Sequence, residues 1–155
     1  MTPQLHITTE ATLRPEVQPV RNFSVKPKGG FWTSTYCDGR SEWVDACQDM
    51  FESAYQKNWF LLVPSLSARI LQINSLADLK YLLRTAPNPC PRTHIVWLDF
   101  EALAHSYDAI TLTTRGQIET RLTWPETLYG WDSESTLWFR WMFLDVQRIA
   151  TPEAR

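Results

Sequence analysis

No apolar run in the 155 residues exceeds the short stretch Trp59–Pro64, far below the ~18 residues that a membrane-spanning helix needs. Cysteine is scarce: Cys37, Cys47 and Cys90 cannot all pair, and their spacing fits no CxxC metal or redox pattern, so reduced thiols are expected. Charge of one sign is also missing. Fifteen Lys+Arg against seventeen Asp+Glu leave a net charge of -2, which supplies no general positive field for nucleic acid or an anionic membrane. The five glycines form neither GxGxxG nor GxxxxGK[ST], and HExxH and GxSxG are absent too. Dinucleotide redox folds, P-loop hydrolysis, zincin proteolysis and the serine-esterase elbow therefore all lack their signatures. His6, His94 and His105 are too scattered to suggest a metal cage, and no metal is expected. The polar start Met1–His6 does not resemble a signal peptide, so a cytoplasmic protein that makes no membrane contact is expected.

What is present describes a chain that folds. Hydrophobic residues make up 44% and charged residues 21%, outside the disordered and collagen-like ranges. The length suits a single domain over residues 1–150, with a flexible tail at 151–155. Eight tryptophans stand out, either as the filling of a small aromatic core or as rings that serve a site.

Strand-like runs rich in β-branched and aromatic residues occur at Leu5–Thr8 and Phe31–Tyr36. The intervening stretch, with Pro15, Pro19, Pro27 and the Gly29-Gly30 pair, is expected to be a long ordered loop. Ser41 can cap a helix whose apolar positions are Trp43, Cys47, Met50, Phe51 and Ala54. Trp59–Val63 and Arg69–Ile73 predict two strands, plausibly a hairpin, and Asn74 or Ser75 can cap a helix over Leu76–Leu83. The proline-rich stretch Pro87–Pro91 ends that element. His94–Leu98 predicts a short strand, Asp99 the cap of a helix over Phe100–Ser106, and Tyr107–Leu112 another strand. Thr113–Asp132 is a polar stretch with no element assigned, and Ser135–Leu144 predicts one long, mostly apolar strand. The sum is an α+β fold: one domain of largely antiparallel strands with two or three packed helices.

Chemistry concentrates in Tyr129–Trp138. Asp132 and Glu134 stand two residues apart at the entry to an apolar strand, where alternation would direct both to one face. A carboxylate held among aromatics at a sheet end is costly unless a ligand or partner uses it.

Three segments in this order resemble the ADP-ribosyltransferase fold. In that family a first strand carries His or Arg, a second carries an aromatic-Ser-Thr-Ser-like run, and a late strand opens with a catalytic Glu preceded two positions earlier by a polar or acidic residue. The matching residues here are His6 in Leu5-His6-Ile7-Thr8, the run Trp32-Thr33-Ser34-Thr35-Tyr36, and Asp132-Ser133-Glu134. Asp99–Leu103 followed by Tyr107-Asp108-Ala109-Ile110 is similar to the helix-to-strand passage before the family's catalytic segment. Ile7 stands where the diphtheria-toxin-like branch commonly has Gly, His6 stands where the cholera-toxin-like branch has Arg, and Asp132 where many arginine-modifying members show Glu. The branch and the acceptor are thus left open.

The resemblance implies transfer of ADP-ribose from NAD, as substrate, to an unidentified protein or nucleic-acid acceptor, with release of nicotinamide. Glu134 would stabilise the ribosyl cation with Asp132 beside it, and Ser34 would steady Glu134 or the ribose. His6 would hold the adenosine ribose, the backbone of Ile7 would pair with the nicotinamide amide, and Trp32 or Tyr36 would stack on the nicotinamide ring. Lys28 in Lys26-Pro27-Lys28-Gly29-Gly30 would meet the pyrophosphate. Two other readings use the same residues. One is a catalytically silent module anchored by Trp124, Trp131, Trp138 and Trp141; the other is a small nuclease or RNA-binding domain working through His6, Glu134 and Lys28.

Overall fold

A computed structural model describes residues 2–45, 57–82 and 95–151. Seven strands form one sheet: β1 (Gln4–Thr8), β2 (Phe31–Thr35), β3 (Asn58–Pro64), β4 (Ile70–Ile73), β5 (Ala109–Leu112), β6 (Ser135–Trp138) and β7 (Phe143–Ile149). Their order is β4-β5-β6-β2-β1-β3-β7; β4 and β5 run parallel, and every other neighbouring pair is antiparallel. Three helices among the described residues follow from their caps. Ser75 caps α1 (Leu76–Tyr81), Asp99 caps α2 (Phe100–Ser106) and Thr113 caps α3 (Thr114–Thr120), each side chain accepting a first-turn amide. The result is a small α+β domain, and no helix among the described residues is long and apolar enough to cross a membrane. Residues 42–45 are also helical, with Ser41 Oγ accepting from the Trp43 amide at 3.3 Å. Cys47, Met50, Phe51 and Ala54 of the expected stripe lie outside the described residues, as do Leu83, Pro87–Pro91, Cys90 and His94.

Residues opposed across an antiparallel ladder share a face. On one face, Thr136 and Trp138 of β6 stand beside Thr33 and Phe31 of β2 and beside Thr111 and Ala109 of β5. Trp138 and Ala109 join Phe60, Leu62 and Phe143 in an aromatic-rich core, with Phe31, Trp141 and Met142 against it. On the opposite face, Leu137, Ile110, Leu112 and Ile73 pack with Leu79 of α1, Phe100 and Leu103 of α2, and Trp131. Along β6, the first face therefore passes from a buried indole at Trp138, through a threonine pair (Thr111 and Thr136 oxygens 2.8 Å apart), toward Glu134.

Four expectations change here. Strands β3 and β4 make no hairpin: β3 is sandwiched between β1 and β7, whereas β4 lies at the far edge beside β5. A turn at Ser65–Ala68 sends the chain across the sheet instead. Residues 95–98 form no strand but hold isolated bridge residues, Val96 pairing with Glu126. The polar stretch after Leu112 holds α3. Its Gly116 is required by contact, since a Cβ there would lie 2.1 Å from the carbonyl oxygen of Ile73. The single long strand expected at Ser135–Leu144 is broken into β6 and β7. The Phe139 amide donates to the Asp108 carbonyl, and the chain then crosses to the opposite edge of the sheet. At the tail, Thr151 Oγ1 donates to the Lys57 carbonyl at 3.0 Å, and residues 152–155 lie outside the described region.

The crossing after β6 is locked by a buried carboxylate. Asp108, 4% exposed, accepts from the Arg69 amide at 2.8 Å and pairs with Arg140 at 3.0 Å and Arg69 at 3.5 Å. Burial pushes its carboxyl upward, but the hydrogen bonds from Arg69 and the charges of Arg69 and Arg140 outweigh it and hold the group below its ordinary value.

Candidate active site

Strands β1, β2 and β6 are consecutive neighbours, so segments separated by 26 and 100 residues of chain meet in one part of the sheet. Glu134 immediately precedes β6 and is only 6% exposed. Its Oε2 accepts from Ser34 Oγ at 2.7 Å and from the Thr35 amide at 3.0 Å, and its Oε1 accepts from Thr35 Oγ1 at 2.8 Å. Ser41 Oγ in turn donates to Ser34 Oγ at 2.9 Å. The donors on this carboxylate are all neutral; among the described residues no cation pairs with it.

A second chain of donors reaches the same group through the core. The Trp138 indole N–H donates to Thr33 Oγ1 at 2.9 Å, and Thr33 Oγ1 donates to Gln4 Oε1 at 2.7 Å. The Gln4 amide lies 3.5 Å from Thr35 Oγ1, whose own proton goes to Glu134. Buried polar groups linked this way hold one geometry, because breaking any link strands a desolvated atom.

The Glu134 carboxylate opens onto a cleft of about 390 Å³. Thr35, Glu42, Asp45, Gln72 and Thr111 are among the groups that line it. Glu42 and Thr35 were not singled out by their sequence pattern. Thr35 sits in the same Thr-Ser-Thr run as Ser34, which is a usable signal, whereas Glu42 reads only as an acidic residue in a helix's first turn. Glu42 Oε2 accepts the backbone N–H of Glu134 at 3.0 Å, and its Oε1 accepts from the Thr114 hydroxyl at the start of α3.

His6 occupies the place where β1 and β2 part. Their pairing covers Gln4↔Thr35 and Leu5↔Ser34, and beyond it the Trp32 carbonyl is met by the His6 ring at 2.7 Å. A carbonyl only accepts, so Nδ1 carries the proton in that contact. Burial pushes the imidazole below its ordinary value, partly opposed by the bond to the Trp32 carbonyl, and the Phe31 ring stacks on it at 4.3 Å. His6 shares the sheet face of Gln4 by alternation. It stands two strands over and two residues along from Glu134, about 12 Å by ideal strand spacings.

Ser34 and Glu134 are brought into direct contact; the other candidates are spread around them. Ile7 lies on β1, opposite Trp59 of β3. The Trp32 ring is on the opposite face, edge-on to Trp131 at 4.7 Å with Lys26 Nζ 4.8 Å from its centre. Tyr36 is half-buried, its amide donating to the Pro3 carbonyl. Lys28 is exposed, its ammonium over Phe23 at 4.1 Å. None of His6, Ile7, Trp32, Tyr36 and Lys28 lines the cleft. Asp132 is exposed and does not share the Glu134 face as strand alternation implies, because β6 begins only at Ser135 and a turn precedes it. The indoles of Trp131 and Trp138 cannot be surface anchors, since both are buried in the cores; Trp124 is 63% exposed. Among the described residues no group of three His, Cys, Asp or Glu side chains could hold a metal ion. Compared with protein-family models, curated proteins and solved structures, the chain finds no match in any of the three.

Proposed function

We propose that this protein is an NAD-dependent ADP-ribosyltransferase, as the resemblance of its three strand segments implies. The observation that carries the reading is the Glu134 carboxylate: buried, fixed by three neutral donors, paired with no cation among the described residues, and part of the lining of a cleft. An anion so placed is expensive in the resting fold and valuable where positive charge develops in a transition state.

In the reaction, the bond between the ribose anomeric carbon and the nicotinamide nitrogen breaks, and its electron pair leaves with nicotinamide, which departs neutral. The ribose passes through an oxocarbenium-like state of the kind met in glycoside cleavage, and Glu134 stabilises it while accepting a hydrogen bond from the ribose 2′-hydroxyl. A lone pair of the acceptor bonds to the anomeric carbon as nicotinamide leaves, and the acceptor's proton is lost. Ser34 and Thr35 keep the carboxylate in place, so little reorganisation accompanies the charge change. His6, on the same face about 12 Å away by ideal strand spacings, would meet the adenosine ribose beyond the cleft.

Incubation with NAD and quantitation of released nicotinamide tests this reading. Wild type should release nicotinamide, and Glu134→Gln, which keeps shape but loses charge, should lower turnover at least ~10²-fold with circular dichroism unchanged. Equal turnover in the two proteins, or no release by wild type, contradicts it.

A further inference from the structure

We propose that Glu42 is the general base that takes the proton from the acceptor in this transfer, an inference that rests on the transferase reading above. Cleavage of a glycosidic bond with delivery of a new nucleophile uses two carboxylates, one at the developing cation and one at the nucleophile's proton. Glu42 lines the cleft together with Glu134, whereas Asp132, the other acid near Glu134 in sequence, faces solvent. The 3.0 Å bond from the Glu134 amide ties the Glu42 carboxylate to the backbone of Glu134, beside the cleft that both residues line.

The existing contacts of Glu42 fix its position without using it up. The Glu134 amide takes one lone pair of Oε2 and the Thr114 hydroxyl one of Oε1, so each oxygen keeps a second lone pair. Residues 41 and 42 also grip Glu134 at both ends, Ser41 through Ser34 on the carboxylate and Glu42 on the backbone amide. The step balances simply. In one dissociative step the acceptor heteroatom bonds to the anomeric carbon and its proton passes to a Glu42 oxygen and then to water, while the electron pair of the breaking bond leaves with nicotinamide, so that the base bears on nicotinamide release.

Azide separates this role from a structural one, because it is a nucleophile with no proton to remove. With water as acceptor, Glu42→Ala should release nicotinamide at least ~10²-fold more slowly than wild type. Sodium azide should restore the rate to within about tenfold of wild type, with ADP-ribosyl azide identified by mass spectrometry. Azide should not rescue Glu134→Gln. Should Glu42→Ala fail to fold by circular dichroism, Glu42→Gln is measured in the same way. Undiminished release by the Glu42 variant, failure of azide to restore it, or the same azide pattern in Asp132→Asn instead would overturn the assignment to Glu42 alone. No release by wild type with either water or azide overturns the transferase reading, and the role of Glu42 falls with it.

Discussion

Two buried carboxylates flank the β5–β6 pair, and they are solvated in opposite ways. Asp108 is met by the Arg69 and Arg140 guanidinium groups, and the carbonyl of the same residue accepts the Phe139 amide; it lies where the chain turns away to the far edge of the sheet. Glu134 is met by two hydroxyls and one amide, and it lies where the sheet opens to the cleft. A buried charge that is neutralised by cations holds structure together. One that is held in place but not neutralised costs stability and keeps its field for whatever enters the cleft.

Substitutions can sharpen or break this contrast. Short of replacing Glu134 itself, the largest effect is expected from stripping its hydroxyl donors. On the transferase reading, Ser34→Ala combined with Thr35→Val should lower nicotinamide release about 10- to 100-fold, measured under saturating NAD, because the anion is then free to leave the geometry that Ser34 and Thr35 impose. Wild-type turnover in that double variant would remove the donors from the mechanism.

Next comes Asp108→Asn, which should cost about 1–3 kcal/mol in urea melts through the weakened Arg69 amide bond and the lost charge pairing. The figure stays modest because the two arginine side chains are 56% and 44% exposed. The same residue sets an acid window. Its folded carboxyl titrates below the unfolded value, so its contribution is complete above about pH 4 and is lost as pH falls through the lowered folded value. The stability gap between wild type and Asp108→Asn should accordingly close below about pH 4; a gap that widens there would contradict the ion pairing.

The smallest effect belongs to His6. Its folded imidazole titrates below the unfolded one, so the unfolded chain gains a proton first and stability should decline as pH drops below about 6.5. Melts of His6→Gln between pH 7 and pH 5 should lack that decline (roughly the range where free histidine titrates).

Local chemistry made much of this legible. Ser75 and Asp99 cap the helices their side chains announce, and β1 and β2 fall where β-branched and aromatic residues cluster. What escaped was decided by distant partners. No turn residue marks Phe139–Met142, because the break there is made by Asp108 and Arg140. The helix over Thr114–Thr120 has no apolar stripe and rests on the Thr113 cap and the close seat of Gly116 on β4. Of the site, Ser34 and Glu134 could be paired through a family resemblance, whereas Glu42 could not, since nothing local distinguishes it from an ordinary first-turn acid.

The most direct test measures nicotinamide release and melting temperature side by side for Glu134→Gln and Asp108→Asn. The expected result is a dissociation: Glu134→Gln loses at least ~10² in turnover with an unchanged or higher melting temperature, while Asp108→Asn melts lower yet turns over NAD at the wild-type rate when folded. If both variants lose stability and activity together, or Glu134→Gln keeps its activity, Glu134 is a structural carboxylate like Asp108 and its chemical role is refuted.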